Sequence, residues 1–221
     1  SVVAWEQAVT AKRNMSATPY IEQAGSHIAS PTLDKESGNL FYVGMGSGEV
    51  CVAGTNASVV CLNGQDGSFL WSGGTETSAY GCPSIADLTG DGQAEVIFGR
   101  TVLNSDGSVL FQGDGGHAGS HFMSVAIDWD LDGTLDIVAG NTVYRHDGSI
   151  LWSDGHSDAA PAIGDFNLDG LPDLVRAGAT RVTVTLNDGT LLWDLPTTGG
   201  GSAGAPTVAD FDGDGYPEVG V

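Results

Sequence analysis

Four aspartates fall within nine positions of "AIDWDLDGTLDIVAG", residues 126–140, bracketed by apolar residues. Asp128, Asp130 and Asp132 alternate, Gly133 follows and Asp136 closes the run, giving D-x-D-x-D-G-x-x-D. Carboxylates this close repel one another, and the sequence places nothing basic nearby to balance them. Alternate oxygen side chains that face one point, followed by a glycine that permits a sharp turn, are the chemistry of a calcium-binding loop. A helix–loop–helix site would also need Glu at the twelfth position, which here is Ala139. The flanks "VAI" and "LDIVAG" are short and β-branched with no helical period, so the loop is expected to join two strands.

The run recurs. "IADLTGDGQAEVIFG" supplies Asp87, Thr89, Asp91 and Glu95; "IGDFNLDGLPDLVRAG" supplies Asp165, Asn167, Asp169 and Asp173; "VADFDGDGYPEVGV" supplies Asp210, Asp212, Asp214 and Glu218. All four loops carry oxygen side chains at positions 1, 3, 5 and 9 and glycine at position 6: Gly92, Gly133, Gly170 and Gly215. Position 7, held by Gln93, Thr134, Leu171 and Tyr216, is expected to add a backbone carbonyl. That hard-oxygen set suits Ca2+ over zinc and, at this ligand number, over Mg2+; about four structural Ca2+ sites are expected. Thr89 and Asn167 each replace an acid, so the loops at Asp128 and Asp210, with four acids each, are expected to bind more tightly than those at Asp87 and Asp165.

The first positions lie 41, 37 and 45 residues apart, a period of propellers and solenoids. Between the loops run "NGQDGSFLW", "LNSDGSVLF", "YRHDGSILW" and "TLNDGTLLW", in which Asp-Gly flanked by apolar residues signals a hairpin. An aromatic stands four residues after each glycine: Trp71, Phe111, Trp152 and Trp193. Their fixed place could serve sugar stacking, but packing between repeats explains it better. Each repeat thus reads as strand, acidic loop, strand, link, strand, Asp-Gly turn, strand.

Four-stranded units of this length with D-x-D-x-D-G-x-x-D between their first two strands resemble the FG-GAP (VCBS-type) repeats of integrin α-chain-like calcium-binding β-propellers, over roughly residues 26–221. The resemblance implies an all-β fold, a β-propeller of four-stranded antiparallel blades. The register gives a last strand of a preceding blade at 1–5, where Trp5 takes the aromatic position, and an insertion or linker at 6–27 with no assigned role. A degenerate blade at 28–75 follows, whose loop keeps Asp34 and Glu36 but has Gly38 and Asn39 where later ligands should be. Blades at 82–112, 123–153 and 160–194 and a half blade at 205–221 complete the chain. This inventory of four and a half to five blades predicts part of a seven-bladed propeller; a five-bladed ring closed by Ser1–Trp5 is the alternative.

Composition excludes several classes. With 28 acidic residues against seven Lys and Arg and a formal charge of −21, nucleic acid is not an expected partner. Half of the acids sit in the four loops. No membrane span or signal peptide is visible; the chain does not begin with Met, so processing or truncation is expected. Cys51 and Cys61 bracket "VAGTNASVV" and are either a cross-strand disulfide or two reduced packing residues, with Cys82 left over as core filler. Asn14 and Asn56 are glycosylation acceptors. His117 and His121 have zinc-like spacing, but the intervening Gly and Ser suit a loop, so they read as surface histidines. The acids could alternatively be catalytic pairs, yet chemistry needs such a pair once and not four times. No nucleophile elbow, Walker loop or dinucleotide motif occurs.

In an up-and-down blade the acidic loops and Asp-Gly turns share one face and the variable links, such as "SGGTETSAYG" and "SDGHSD", share the other. Variable loops on a rigid scaffold usually carry recognition, which makes Tyr80, His117, His121 and His156 candidate contact residues. The expected function is a non-enzymatic, secreted or cell-surface module for adhesion or protein recognition, with a protein or glycan ligand on the link face. Its alternative is a lectin-like propeller or an accessory domain of a polysaccharide-degrading enzyme.

Overall fold

The computed structural model describes residues 32–33, 40–41, 50–53, 59–63, 66–74, 80–116, 121–156, 158–197 and 204–221. Ser1–Trp5, the 6–27 insertion, Asn14, the Asp34–Asn39 loop, Asn56 and His117 lie outside the described residues. Twenty short strands and no helix are found among those described. Thr32–Leu33 (β1) and Leu40–Phe41 (β2) form a hairpin, and Val50–Ala53 (β3), Val59–Leu62 (β4) and Phe69–Gly73 (β5) an antiparallel meander. Among its described residues, the stretch read as one degenerate four-stranded repeat holds five strands in two sheets, because "VCVA" and "VVCL" are both β-rich runs and pair with each other.

After Tyr80–Cys82 (β6), one sheet is built from Ser84–Ala86 (β7), Glu95–Phe98 (β8), Thr101–Leu103 (β9) and Val109–Gln112 (β10). The next comprises His121–Ile127 (β11), Asp136–Ala139 (β12), Thr142–Tyr144 (β13) and Ile150–Ser153 (β14), and the third Ala160–Gly164 (β15), Asp173–Ala177 (β16), Arg181–Thr185 (β17) and Leu191–Pro196 (β18). Thr207–Ala209 (β19) and Glu218–Gly220 (β20) begin another. Every neighbour in these meanders is antiparallel; β6 is an addition, pairing parallel to β11 with Tyr80 opposite His121 and Cys82 opposite Met123. The sheets follow the predicted order of strand, acidic loop, strand, link, strand, Asp-Gly turn, strand.

The second strands explain how the sheets stack. In β8, Val96 and Phe98 pack toward β4, whereas Ile97 joins Ile137 and Ala139 of the following sheet. Val138 then faces Leu174, and Val175 and Ala177 face the β19–β20 pair. Alternate residues serve alternate neighbours, so strands such as β8 and β12 are buried throughout and read as continuous apolar runs. Each such side chain contributes roughly 1.5–3 kcal/mol by leaving water. The first strands β7, β11, β15 and β19 lie side by side in sequence order, and a buried ion pair, Arg176 Nη2 to Asp154 at 2.5 Å, ties the link after β14 to β16.

The Asp-Gly turns close by a shared device. The backbone amides of Asn104, Arg145 and Leu186 donate to the carbonyls of Ser108, Ser149 and Thr190 at 2.8 Å, and Asp106, Asp147 and Asp188 each accept the amide of the residue two further on. The register then slips by one residue in every copy, leaving Leu70, Leu110, Leu151 and Leu192 as β-bulges immediately before the aromatic. The bulge turns the aromatic onto the next sheet's turn. A Cβ at Gly107 would meet the Trp71 ring at 2.5 Å, and one at Gly148 the Phe111 ring at 2.8 Å; Gly189 lies against Trp152. Gly107 and Gly148 also have φ of +85° and +86°, so both sterics and backbone disfavour a side chain there, whereas at Gly189, with φ +88° and Trp152 at ordinary contact distance, only the backbone does. Gly148→Ala is expected to lower stability by about 2–4 kcal/mol, combining left-handed strain and overpacking. Gly67→Ala, with φ +71° and no described atom within 4 Å, should cost only the backbone share; equal losses in thermal unfolding would contradict the packing account.

Candidate metal centres

The acidic loops connect β7 to β8, β11 to β12, β15 to β16 and β19 to β20. Their backbone is organised by their own carboxylates. Asp87 accepts the amides of Gly90, Asp91 and Gly92 at 2.8–3.2 Å; Asp210 does the same for Gly213, Asp214 and Gly215. Asp165 holds Asp169 and Gly170, and Asp128 holds Gly133. The fifth-position acids Asp91, Asp132, Asp169 and Asp214 each accept the amide of position 7, so Gln93, Thr134, Leu171 and Tyr216 turn their N–H into the loop. Position 9 opens the second strand, and Glu95, Asp136, Asp173 and Glu218 reach back to the amide of position 2. Asn187 joins this arrangement: its amide donates to Asp173 and its side chain to the carbonyls of Trp129 and Pro172, binding the Asp-Gly turn to the loops of two sheets.

Position 4 was not legible as special. Gly90 and Gly213 have φ of +71° and +81° there, and the other two loops place Leu131 and Leu168 in the same region at +57° and +59°. A leucine in this conformation costs about 1–2 kcal/mol, yet both side chains are exposed and gain no core packing. The loop geometry therefore overrides local preference.

The four loops differ in how tightly their acids converge. Oxygens of Asp210, Asp212, Asp214 and Glu218 lie within 4.8 Å of one another, as do those of Asp128, Asp130 and Asp136. Asp132 is instead turned to the amide and hydroxyl of Thr134. In the loop at Asp165, Asn167 spends its amide on Asp169 at 2.8 Å; in the loop at Asp87, Thr89 contributes its backbone amide to Glu95. Neither of these loops gathers three acid oxygens so closely among the described residues. One basic group does approach: Arg145, from the β13–β14 turn, sets Nη2 3.3 Å from Asp130 Oδ2, although nothing basic is near in sequence. The turn face and the loop face are thus the same face.

Burial pushes the carboxyls of Glu95, Asp136 and Asp173 above their ordinary range, and the neighbouring loop acids add to the rise. Asp128 Oδ1 is shielded from solvent and has no hydrogen-bond partner among the described residues. An unpaired buried oxygen, hard donors only and convergent negative charge all fit a divalent cation. Without metal, raised carboxyl pKa values mean that the fold binds more protons than the unfolded chain, so these groups erode stability as pH climbs past their ordinary values. In chelator, Glu95→Gln should therefore gain stability relative to wild type as pH rises above 4.5, the ordinary value for Glu; a difference in Tm independent of pH would rule this out.

On the link face, Asn141 donates to the His156 carbonyl at 2.6 Å, and the Tyr144 hydroxyl is bonded to both the amide and carbonyl of Gly115. His156 is exposed, while Tyr80 and His121 are Cα partners in the β6–β11 pair. No helix among the described residues is long and apolar enough to cross a membrane.

Residues 165–221 match the FG-GAP-like repeat family. No curated protein matches the chain. Among solved structures, the V. cholerae biofilm matrix protein Bap1 is similar at 22% identity and a TM-score of 0.58, over 86% of this chain and 35% of that one. A rhamnogalacturonan lyase from Bacillus licheniformis is similar at 19% identity and a TM-score of 0.49, over 73% of this chain and 34% of that one. The exotype rhamnogalacturonan lyase YesX follows at 19% identity and a TM-score of 0.47, over 85% of this chain and 35% of that one. The chain spans about a third of the length of these structures. The likeness to Bap1 is one of fold: an FG-GAP-like repeat occurs within an all-β array of antiparallel sheets.

Proposed function

We propose that this chain is a non-enzymatic, extracellular calcium-binding module, its sheets acting as blades of a β-propeller and its acidic loops as structural Ca2+ sites. The observation that carries this reading is the Asp210, Asp212, Asp214 and Glu218 cluster within 4.8 Å, repeated as Asp128, Asp130 and Asp136 around a shielded, unpaired Asp128 oxygen. Ca2+ supplies the positive charge those carboxylates lack, and side-chain oxygens of positions 1, 3, 5 and 9 would hold it together with the position 7 carbonyl. The loops at Asp87 and Asp165 would take the same ion more weakly. Repetition of one loop at every sheet argues for a structural part and against a catalytic one.

The proposed ligand, a protein in adhesion or recognition, meets the link face. Support comes from the links' variety in sequence and their anchoring by Asn141 and Tyr144 to buried strands. A secreted setting fits a fold shared with a biofilm matrix protein. It also fits the register of β3 and β4, which sets Cys51 directly opposite Cys61. Cα separations across antiparallel pairs of about 4.5–5.5 Å suit a disulfide, which we include in the proposal.

Thermal unfolding with excess Ca2+ against chelator is expected to show a rise in Tm of several degrees or more, with calorimetry finding two tighter sites and up to two weaker ones. An unchanged Tm with no bound calcium would end the metal reading and reopen a catalytic one; glycan binding lost on mutation of the links would move the ligand from protein to carbohydrate. Alkylation without prior reduction, read by intact mass, should label Cys82 alone. Three labelled cysteines would refute the Cys51–Cys61 bond.

A further inference from the structure

Arg145 brings a guanidinium to one acidic loop and to no other. It stands two residues before the turn aspartate Asp147, where Asn104 and Leu186 stand before Asp106 and Asp188, and neither of those carries charge. Its Nη2 contacts Asp130 Oδ2 at 3.3 Å, and Asp130 is one of the three acids that converge at this loop. Asp128 Oδ1 remains unpaired beside it, so the guanidinium offsets charge without filling the site. The Asp210 cluster makes no ion pair with Arg or Lys among the described residues.

Resting on the calcium reading above, we propose that Arg145 is a resident counter-ion of the Asp128 loop: it occupies Asp130 when metal is absent and competes with Ca2+ for that carboxylate. Four acids in each loop would predict equal affinity at Asp128 and Asp210; Asp132, turned to Thr134, already breaks that equality, and the guanidinium widens the difference. A cation binding at this loop must either displace Arg145 or accept its charge a few ångströms away, and both weaken binding. The effect is modest because the side chains of Arg145 and Asp130 are 41% and 33% exposed and water and salt screen them, which corresponds to about three- to tenfold in affinity. In return the metal-free loop is less self-repelling than its counterpart. The Asp128 site thus becomes the weaker of the two acid-rich sites and the one less dependent on calcium for its order.

The test uses the full chain with Tb3+ as a luminescent probe, displaced by Ca2+. Trp129 occupies position 2 of this loop and lies against Trp152 with ring centroids 5.4 Å apart, so tryptophan-sensitised emission reports this site. Arg145→Gln is expected to tighten the sensitised site about three- to tenfold and to lower Tm in chelator, whereas Arg145→Lys should stay near wild type. In an Asp130→Asn background the Arg145→Gln effect should vanish, which assigns it to this pair. Unchanged affinity in Arg145→Gln, with metal still bound, would overturn the inference and leave the calcium reading intact. Absence of metal uptake by wild type and variant alike would sink the calcium reading, and the competition with it.

Discussion

The carboxylate at the head of each second strand is the constraint on which the rest of the molecule turns. Glu95, Asp136 and Asp173 are simultaneously the ninth residue of an acidic loop and the first residue of a strand buried between two sheets. Their burial follows from the stacking, because a strand that feeds cores on both faces cannot begin in solvent. Each reaches back to a backbone amide that would otherwise be orphaned at the strand's edge, which offsets part of the desolvation. The remainder appears as raised proton affinity, and the acids at positions 1, 3 and 5 stand close enough to increase it. Fold and charge are therefore one problem: the same residue that lets the sheets stack adds a carboxylate to the acidic loop.

Stacking is itself a matter of small, repeated fits. A bulge before the aromatic, a glycine in the next turn and an aromatic ring between them recur at three junctions. None of these is large alone. Together they set the distance between sheets, and the alternation of Val96, Ile97 and Phe98 between cores then has two neighbours to serve. Loss of one junction would be felt on both sides of a sheet, since its second strand is shared.

Much of this was legible in sequence because the chain repeats its own solution. Four copies of an acidic loop and four of an Asp-Gly turn fixed the strand order, the loop positions and the inter-sheet place of Trp71, Phe111 and Trp152 before any coordinate. What escaped was what repetition does not encode. Leu131 and Leu168 give no local sign of a left-handed backbone, because the loop's hydrogen bonds impose it. The parallel strand β6 joins residues 41 apart in sequence through a pairing that neither segment advertises. Five strands in place of four around Cys51 and Cys61 arise in the most diverged copy, where alignment to the others was least constraining. Nothing in the turn around Arg145 signals that folding sets it beside Asp130, 15 positions earlier.

The two faces of the stack consequently have different freedoms. On the loop and turn face nearly every acid is committed to an amide of its own loop: Asp87, Asp165 and Asp210 at position 1, Asp106, Asp147 and Asp188 in the turns. Substitution there disturbs a turn, a strand head and a cluster of acids together, so this face is poorly placed to diversify. The link face is tied down at a few points, such as Asn141 to His156 and Tyr144 to Gly115, with glycine-rich segments between them. Apart from Asp154, which pairs with the buried Arg176, sequence there can vary between anchors without touching the acidic loops. A scaffold whose loop carboxylates are gathered at one end can keep that end constant and vary the other, which is the physical reason to look for a ligand opposite the acidic loops.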